Sequence, residues 1–195
     1  LGKMFNSRKI EYDFDFADYL WLKARNFLDK NGYNQYEVSN FSKKGFESKH
    51  NLSYWNHQSY LGVGSGATGT VYNDDGSGIR WTNTQNIESY INFWQEKSNS
   101  FKIEKNDDIQ ELEQIDVETS KIEFFLMGLR KLSGITTKEF ENIFHKPIDD
   151  KIIKVFKKWE QKNLCKIQNE HNDSVRYSLG KNGILFLNAF LEEIV

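Results

Sequence analysis

One stripe of apolar side chains at helical spacing predicts a helix over residues 14–31. Its members are Phe16, Leu20, Ala24, Phe27 and Leu28. Gly32 follows at the position where a left-handed C-cap residue is expected, so we expect the helix to end there. The next segment, Tyr36–Phe41, predicts a short strand. A helix followed by a glycine and a strand is half of a β/α repeat.

Polar and glycine-rich stretches interrupt the middle of the chain. Residues 42–50 predict a polar loop, and Tyr60–Val63 predicts a second short strand that ends in glycines. Asn73–Gly78 is rich in the residues that form turns. A helix is predicted from about Ile87 to Glu96, and the polar residues 97–112 predict a linker.

The remainder of the chain has a mainly helical pattern with one hairpin. The predicted elements are helices over 117–132, 136–145, 148–162 and 182–194, and a hairpin over 164–179. Thr136 precedes Glu139 by the spacing of a capping box, which marks the start of the second of these helices. Three helices, a hairpin and a final helix are the order of a winged-helix domain, so we expect a winged-helix-like domain here.

Composition narrows the class of protein. A chain of 195 residues allows one large domain or two small ones. The formal net charge of −2 gives no overall attraction for nucleic acid. The single cysteine, Cys165, excludes an internal disulfide and suits a reducing cytosol, so we expect a cytoplasmic protein. No apolar run reaches the roughly 18–20 residues of a membrane span.

Three short motifs follow one another along the first third of the chain. They are YEVSNF at Tyr36–Phe41, HNLSYW at His50–Trp55 and GVGSGA at Gly62–Ala67. Their order and spacing resemble those of the radical-SAM family of oxygen-independent coproporphyrinogen III oxidases, and within it the haem-chaperone branch. The segment RWTN at Arg80–Asn83, just before a helix, belongs to the same family pattern.

The resemblance implies an α+β fold, in which the C-terminal remnant of a radical-SAM β/α partial barrel precedes a winged-helix-like domain. The implied parts are residues 1–96 for the end of the barrel and a connecting helix, 97–112 for a linker and 113–195 for the C-terminal domain. Family members hold a [4Fe–4S] cluster through three cysteine thiolates, whereas this chain has one cysteine. We therefore expect it to be the C-terminal portion of a longer parent protein. On its own it is expected to have no iron–sulfur cluster, no other cofactor and no radical-SAM activity.

The HNLSYW motif is the part that the resemblance associates with haem. It implies His50 as the haem iron ligand, and His57 is an alternative ligand close by. Asn51, Tyr54 and Trp55 would hold the segment and pack on the porphyrin. The residues alone leave another interpretation open, in which His50 and Asn51 form hydrogen bonds within a loop and the two aromatic side chains are core.

The glycine loop after the second predicted strand has the spacing G-x-G-x-x-G. A dinucleotide site needs a following helix to receive the pyrophosphate, and here a turn follows instead. In the family this loop lies near S-adenosylmethionine. Glycines there allow the backbone to approach such a ligand closely. The residues to which the resemblance transfers this role are Gly64, Gly66 and Ala67. The chain departs from the family pattern at Ser65 and Thr68, where proline and histidine are frequent.

Other polar residues have structural interpretations. Glu37 and Asn40 lie among apolar neighbours and need hydrogen-bond partners, although they could also face a barrel mouth. Cys165 lies beside Leu164 in an apolar strand and is expected to be an inert core thiol. His145 and His171 are expected at the surface or in local hydrogen bonds.

The predicted helix over residues 148–162 carries a basic stripe. Its members are Lys151, Lys154, Lys157, Lys158 and Lys162. In a winged helix this helix often enters the DNA major groove. Asp149, Asp150 and Glu160 interrupt the positive charge, so we expect no nucleic-acid partner.

The function implied for the parent is that of a haem chaperone that delivers haem to acceptor proteins. The alternatives are an oxygen-independent coproporphyrinogen III oxidase, and a non-enzymatic winged-helix interaction or DNA-binding module. The parent's implied cofactors are a [4Fe–4S] cluster, S-adenosylmethionine and haem. Its implied partners are the missing N-terminal barrel, haem and haem acceptors, and a second copy of the parent in a homodimer is a further candidate. No catalytic residue is assigned within this chain.

Overall fold

The computed structural model describes residues 13–96 and 110–194. The chain divides into two compact units, with the boundary between Glu47 and Ser48. The model has a mixed α+β composition, as the sequence predicts. None of the helices in the described residues is long and apolar enough to span a lipid bilayer.

The first unit contains a helix and a short hairpin. Helix α1 spans Phe14–Lys30, close to the predicted 14–31. The side chain of Asp13 caps its first turn by accepting from the Phe16 N–H at 2.9 Å. Gly32 follows with a φ of +82°. Strands β1 (Asn34–Gln35) and β2 (Phe41–Ser42) then pair antiparallel.

The strand predicted over Tyr36–Phe41 is wrong, because most of this segment forms the turn of the β1–β2 hairpin. The Gln35 side chain donates to the Val38 carbonyl at 3.0 Å, and the Ser39 N–H donates to the Glu37 carboxylate at 3.0 Å. These local bonds replace the bonds of a strand ladder. Glu37, only 2% exposed, therefore has the partner that its burial requires.

The second unit begins with helix α2, Lys49–Trp55, which contains the HNLSYW motif. The sequence analysis placed a polar loop up to residue 50, and this boundary is wrong. The Ser48 hydroxyl caps the helix by accepting from the Asn51 N–H at 3.3 Å, so the helix begins at Lys49.

A three-stranded antiparallel sheet follows, in the order β3–β4–β5. Strands β3 (Thr68–Tyr72) and β4 (Gly78–Asn83) are joined by the predicted turn, and helix α3 (Ile87–Glu96) follows as predicted. Strand β5 (Gln110–Ile115) pairs with β4 over its whole length. The linker prediction is therefore wrong at residues 110–112, because β4 supplies their ladder bonds, whereas residues 97–109 lie outside the described residues. The domain boundary predicted at 97–112 stays a prediction.

The strand predicted over Tyr60–Val63 does not form. Only Tyr60 pairs, in an isolated antiparallel bridge with Thr70. The reason is a close backbone approach at Gly62, where a Cβ atom would lie 2.4 Å from the Thr68 carbonyl carbon. The backbone therefore passes very close to β3 at Gly62, and the ladder is not continued beyond Tyr60.

The rest of the second unit consists of helices around a second antiparallel sheet, in the strand order β6–β8–β7. Its elements are α4 (Val117–Gly128), β6 (Ile135–Thr136), α5 (Thr137–Phe144), α6 (Asp150–Gln161), β7 (Cys165–Asn169), β8 (Val175–Leu179), a 3-10 turn (Gly183–Phe186) and α7 (Leu187–Ile194). The predicted capping box is present, with Thr136 and Glu139 each bonded to the other's backbone N–H. Helix α4 ends four residues earlier than predicted, because the chain turns tightly at Arg130 and Lys131.

Aromatic side chains form most of the core of this unit. Phe124 of α4 packs on Phe140 of α5 with ring centroids 5.4 Å apart, and Phe140 packs on Phe144 at 4.7 Å. Phe156 of α6 packs on Phe190 of α7 at 4.8 Å. Offset and edge contacts of this kind add to the free energy gained by burying the rings.

A half-buried ion pair ties the first sheet to helix α4. Nη2 of Arg80 on β4 lies 2.8 and 2.7 Å from the two carboxylate oxygens of Glu123. Arg80 also donates from Nε to the Thr70 hydroxyl at 3.2 Å and from Nη1 to the exposed Glu113 at 3.1 Å. The Tyr72 hydroxyl donates to Glu123 at 3.3 Å, so two strand residues, Arg80 and Tyr72, bind the same helical carboxylate.

His57 makes a second connection between the start of the unit and helix α4. It is 7% exposed, its Nε2 lies 2.9 Å from the Ser120 hydroxyl and its ring stacks on Tyr72 at 4.0 Å. Burial, and then the positive charge of Arg80, lower the pKa of His57 to about 4. The imidazole is therefore neutral at neutral pH.

Replacing Glu123 should destabilise the fold much more than replacing Glu113, although both contact Arg80. We expect Glu123→Gln to lower the free energy of unfolding by about 2 kcal/mol, because it leaves a partly buried guanidinium underpaired. Glu113 has a side chain that is 55% exposed, and Glu113→Gln should cost no more than about 0.5 kcal/mol. Urea unfolding followed by circular dichroism measures both, and equal losses would contradict the role given to Glu123.

The low pKa of His57 predicts acid sensitivity. The unfolded state binds a proton near pH 6.5 and the folded state only near pH 4, so stability is complete above pH 6.5 and falls as the pH drops towards 4. We expect His57 to contribute a loss of about 3 kcal/mol over that range, from about 1.4 kcal/mol per pKa unit. His57→Gln should flatten the pH dependence of urea unfolding, whereas His171→Gln, at an exposed position, should not. An unchanged slope in His57→Gln would show that this histidine does not titrate as stated.

Candidate functional site

The N-terminal end of α2 presents an exposed histidine beside a tyrosine. His50 is exposed, and its Nε2 lies 3.3 Å from the Tyr54 hydroxyl one turn later. The two rings meet edge to face at 4.9 Å. Tyr54 in turn packs edge to face on Tyr60 at 4.5 Å. Since Tyr60 bridges to Thr70 of β3, this face of the helix is fixed to the first sheet.

The C-terminal end of α2 is held by two consecutive cationic residues that follow helix α4. The Arg130 guanidinium lies over the Trp55 ring, 5.2 Å from its centroid. The Lys131 ammonium donates to the Asn56 side-chain oxygen at 2.5 Å, although Lys131 is only 6% exposed. Burial lowers the pKa of Lys131, since the charged form is poorly solvated there.

The four residues predicted to contact haem therefore do not share one surface. His50 and Tyr54 touch each other on one side of α2, whereas Trp55 packs under Arg130. Successive helical residues are about 100° apart, so Trp55 projects about 140° away from His50. Asn51 lies between these faces, half-buried, with its backbone N–H bound to the Ser48 cap.

The alternative ligand, His57, lies in the core. Its ring is enclosed by Tyr72, Phe124 and Phe144, and its Nε2 is within hydrogen-bond distance of Ser120. In the described structure this imidazole could reach a ligand only if the core opened. His50 is thus the histidine of this segment that is accessible from solvent.

The glycine loop is held by Asn83 of β4, whose role the sequence analysis did not identify. Its side-chain nitrogen donates to the carbonyls of Gly62 and Gly64 at 3.2 and 2.9 Å. Its side-chain oxygen accepts from Gln110 of β5 at 2.8 Å. Asn83 is 3% exposed, and these bonds give partners to both the nitrogen and the oxygen of its buried amide.

The backbone N–H groups of the predicted S-adenosylmethionine-binding glycines are bonded within the chain. The Gly64 N–H donates to the Tyr90 hydroxyl at 2.9 Å, and the Gly66 N–H donates to the Thr84 carbonyl at 2.8 Å. Gly64 and Gly66 have φ values of +112° and +71°, in the region that favours glycine. Ala67 closes the loop by donating to the Gly64 carbonyl at 3.2 Å. The polar backbone groups of this loop are therefore largely bonded within the chain.

Gly62 and Gly69 are needed for close packing. A Cβ atom on Gly69 would lie 2.1 Å from a ring carbon of Trp81. The glycines of this segment thus meet two different needs. Gly64 and Gly66 adopt positive φ values, whereas Gly62 and Gly69 leave room for neighbouring atoms that a Cβ would hit. Neither of these needs involves a nucleotide.

The remaining candidate groups have structural surroundings. Cys165 is buried in the core, as predicted, and burial followed by the charge of Glu160 raises the pKa of its thiol to about 12. The lysines of the basic stripe are exposed along α6 and the residue after it, and Lys158 pairs with Glu193 of α7 at 2.8 Å. Within residues 13–96 and 110–194, no three His, Cys, Asp or Glu side chains are grouped so that they could hold a metal ion.

Several known proteins are similar to this chain. The haem chaperone HemW of Lactococcus lactis is 41% identical over 119 residues, which are 60% of this chain and 27% of that protein. The haem chaperone HemW of Bacillus subtilis is 33% identical over 171 residues, which are 86% of this chain and 40% of that protein. The chain thus spans less than half the length of these relatives. No protein-family model matches it.

A solved structure shares the fold. Coproporphyrinogen III oxidase HemN of Escherichia coli, a radical-SAM enzyme, superposes with a TM-score of 0.61 at 12% identity, over 99% of this chain and 45% of that one. At this identity the similarity is one of fold. Together with the relatives, it shows that the chain belongs to the radical-SAM family of oxygen-independent coproporphyrinogen III oxidase-like proteins, in its haem-chaperone branch.

Proposed function

We propose that this chain is part of a protein that binds haem through His50 and passes it to acceptor proteins. The observation that carries the proposal is an exposed imidazole on a short helix, flanked by an aromatic ring that is itself fixed to the sheet. Neutral imidazole is a common axial ligand of haem iron. The relatives described above are named haem chaperones.

The surroundings of His50 suit binding that must later be reversed. The ring is in solvent, so an incoming haem does not have to displace packed core. Its Nε2 has only a long hydrogen bond, 3.3 Å, to the Tyr54 hydroxyl, and such a bond at an exposed site is weak. One iron–imidazole bond and one aromatic contact give a site from which an acceptor could remove the haem.

Trp55 and Asn51 have secondary parts in this proposal. Trp55, packed under Arg130, fixes the far end of α2, so its effect on haem would come through the position of the helix. Asn51 acts by its backbone, which completes the cap at Ser48. His57 remains buried and does not compete for the iron.

The proposal extends to the other cofactors of the full-length protein. A [4Fe–4S] cluster would need cysteines outside this chain, because Cys165 is alone and buried. S-adenosylmethionine would lie against the Cα surfaces of Gly64, Gly66 and Ala67, since the N–H groups of the two glycines and the carbonyls of Gly64 and Ala67 are already bonded. When bound at such a cluster, it is the source of radical chemistry in this family.

The finer description of the fold is also proposed. Residues 1–96 would form part of a β/α partial barrel, and residues 113–195 would form a winged-helix-like domain. The sheet β6–β8–β7 beside α4, α5 and α6 supports the second assignment. A cytoplasmic location and the absence of a nucleic-acid partner belong to the same proposal, on the single cysteine and the net charge of −2.

Replacing His50 should weaken haem binding strongly. We expect His50→Ala to lower haem affinity about tenfold or more in the full-length protein, because an iron–imidazole bond is lost. His171→Ala removes another exposed histidine and should change little. A Soret-band titration measures both, with circular dichroism as the check on folding. Equal affinity and an identical spectrum in wild type and His50→Ala would reject His50 as the ligand.

Removing the Tyr54 hydroxyl should raise the affinity for haem. The hydroxyl occupies Nε2 of His50, so Tyr54→Phe should raise haem affinity by about twofold, corresponding to a weak exposed hydrogen bond. Tyr60→Phe leaves the His50 contact in place and serves as the matched control. A loss of affinity in Tyr54→Phe would mean that the hydroxyl assists ligation, and that iron binds the other ring nitrogen.

A further inference from the structure

A cavity of about 210 Å³ opens beside the C-terminal end of α2, where Trp55 and Asn56 line it. Its apolar wall consists of Trp55, Phe124 and Ile135, of which the last two are buried. Its rim is polar and includes the exposed amides of Asn56 and Asn142. The Lys131 side chain is part of the wall.

The Lys131 ammonium has too few partners for its burial. At 6% exposure it is removed from water, and its hydrogen bond within the described residues goes to the neutral Asn56 amide at 2.5 Å. No carboxylate in that part of the chain lies within 4.0 Å of it. Buried ammonium groups are normally paired, because an uncompensated charge costs several kcal/mol.

The nearest candidate for a counter-charge is already engaged. Glu139 also lines the cavity, and its Oε2 accepts from both the N–H and the hydroxyl of Thr136 at 2.6 and 2.9 Å. These bonds hold the carboxylate in the capping box at the start of α5. Glu139 therefore acts on Lys131 only at a distance.

We propose that this cavity is a binding site for a carboxylate group, with Lys131 as its counter-charge. The amides of Asn56 and Asn142 can donate to the second oxygen, and the body of the ligand would lie against Trp55 and Phe124. An ammonium in an apolar wall with neutral amides at the rim suits one negative charge on a small hydrophobic body. The charge of the Glu139 carboxylate in the same lining is partly offset by the two bonds that it accepts from Thr136.

The site does not depend on haem binding at His50. Asn56 and His50 are at opposite ends of α2, about 9 Å apart along the axis and about 120° apart around it. The carboxylate could be a porphyrin propionate that reaches around the helix, or it could belong to another molecule. Both sources supply a carboxylate, which is the group that the cavity would bind.

Calorimetric titration of this chain with benzoate, and with benzamide as the neutral analogue, tests the site. We expect saturable binding of benzoate, and binding at least about tenfold weaker for benzamide and for benzoate to Lys131→Met, because a charge-assisted hydrogen bond is lost. Lys154→Met removes one exposed lysine on α6 and should leave benzoate binding unchanged. No saturable benzoate binding, or equal binding to Lys131→Met, would overturn the proposal.

A rim variant keeps the test valid if Lys131→Met fails to fold. Asn142 is exposed, so Asn142→Asp should fold normally and place a repelling charge at the cavity mouth. Benzoate affinity should then fall several-fold, and an unchanged affinity would count against the site.

The two sources of carboxylate are separated by comparing haem with its dimethyl ester. If the porphyrin supplies the carboxylate, haem binds more tightly than the ester in wild type, and the difference disappears in Lys131→Met. If the two porphyrins bind equally while benzoate depends on Lys131, the site takes another carboxylate. A chain that binds benzoate in this way but no haem would contradict the function proposed above and leave this inference intact.

Discussion

The ion pair between Arg80 and Glu123 is the interaction on which the arrangement of the second unit depends. It fixes strand β4 against helix α4, and the other connections are built on the same two elements. Asn83, further along β4, holds the glycine loop, and Ser120, one turn before Glu123, receives His57. A rotation of α4 would therefore disturb the contact with His57 as well as the pair with β4. The cost of partly burying the pair is offset because every charged oxygen has a donor.

Helix α2 is fixed at one end and open at the other. Its C-terminal end is tied through Asn56 to Lys131, and the following residue, His57, is buried against α4. Its N-terminal end has the Ser48 cap and an exposed histidine. A helix of only seven residues is marginal on its own, so these tertiary contacts are what keep it folded. The result is an accessible imidazole on a support that does not have to move when a ligand binds or leaves.

Local signals allowed the sequence to predict much of the fold, whereas contacts between distant residues escaped it. Helix α1, the turn before β4 and the capping box of Thr136 and Glu139 all rest on residues a few positions apart. The prediction failed at Tyr36–Phe41, where side chains bind the backbone of their own turn and override the apolar pattern. At the candidate site, the motif identified His50 but could not show that Trp55 faces away from it. The bonds from Asn83 to the glycine loop, 19 and 21 residues away, and from Lys131 to Asn56, 75 residues away, leave no periodic signal.

His50 and His57 show how two identical side chains in one segment acquire different chemistry. Both stand beside a tyrosine, but His50 meets the edge of Tyr54 in solvent, whereas His57 stacks on Tyr72 in the core. The loss of water on burial, and then the charge of Arg80, lower the pKa of His57, so a neutral ring packs in the core beside Ser120. His50 lies at the surface, where its ring is open to solvent. A histidine in a sequence motif can therefore act as a ligand only where the fold leaves its ring accessible, and in this segment that condition holds for His50 and not for His57.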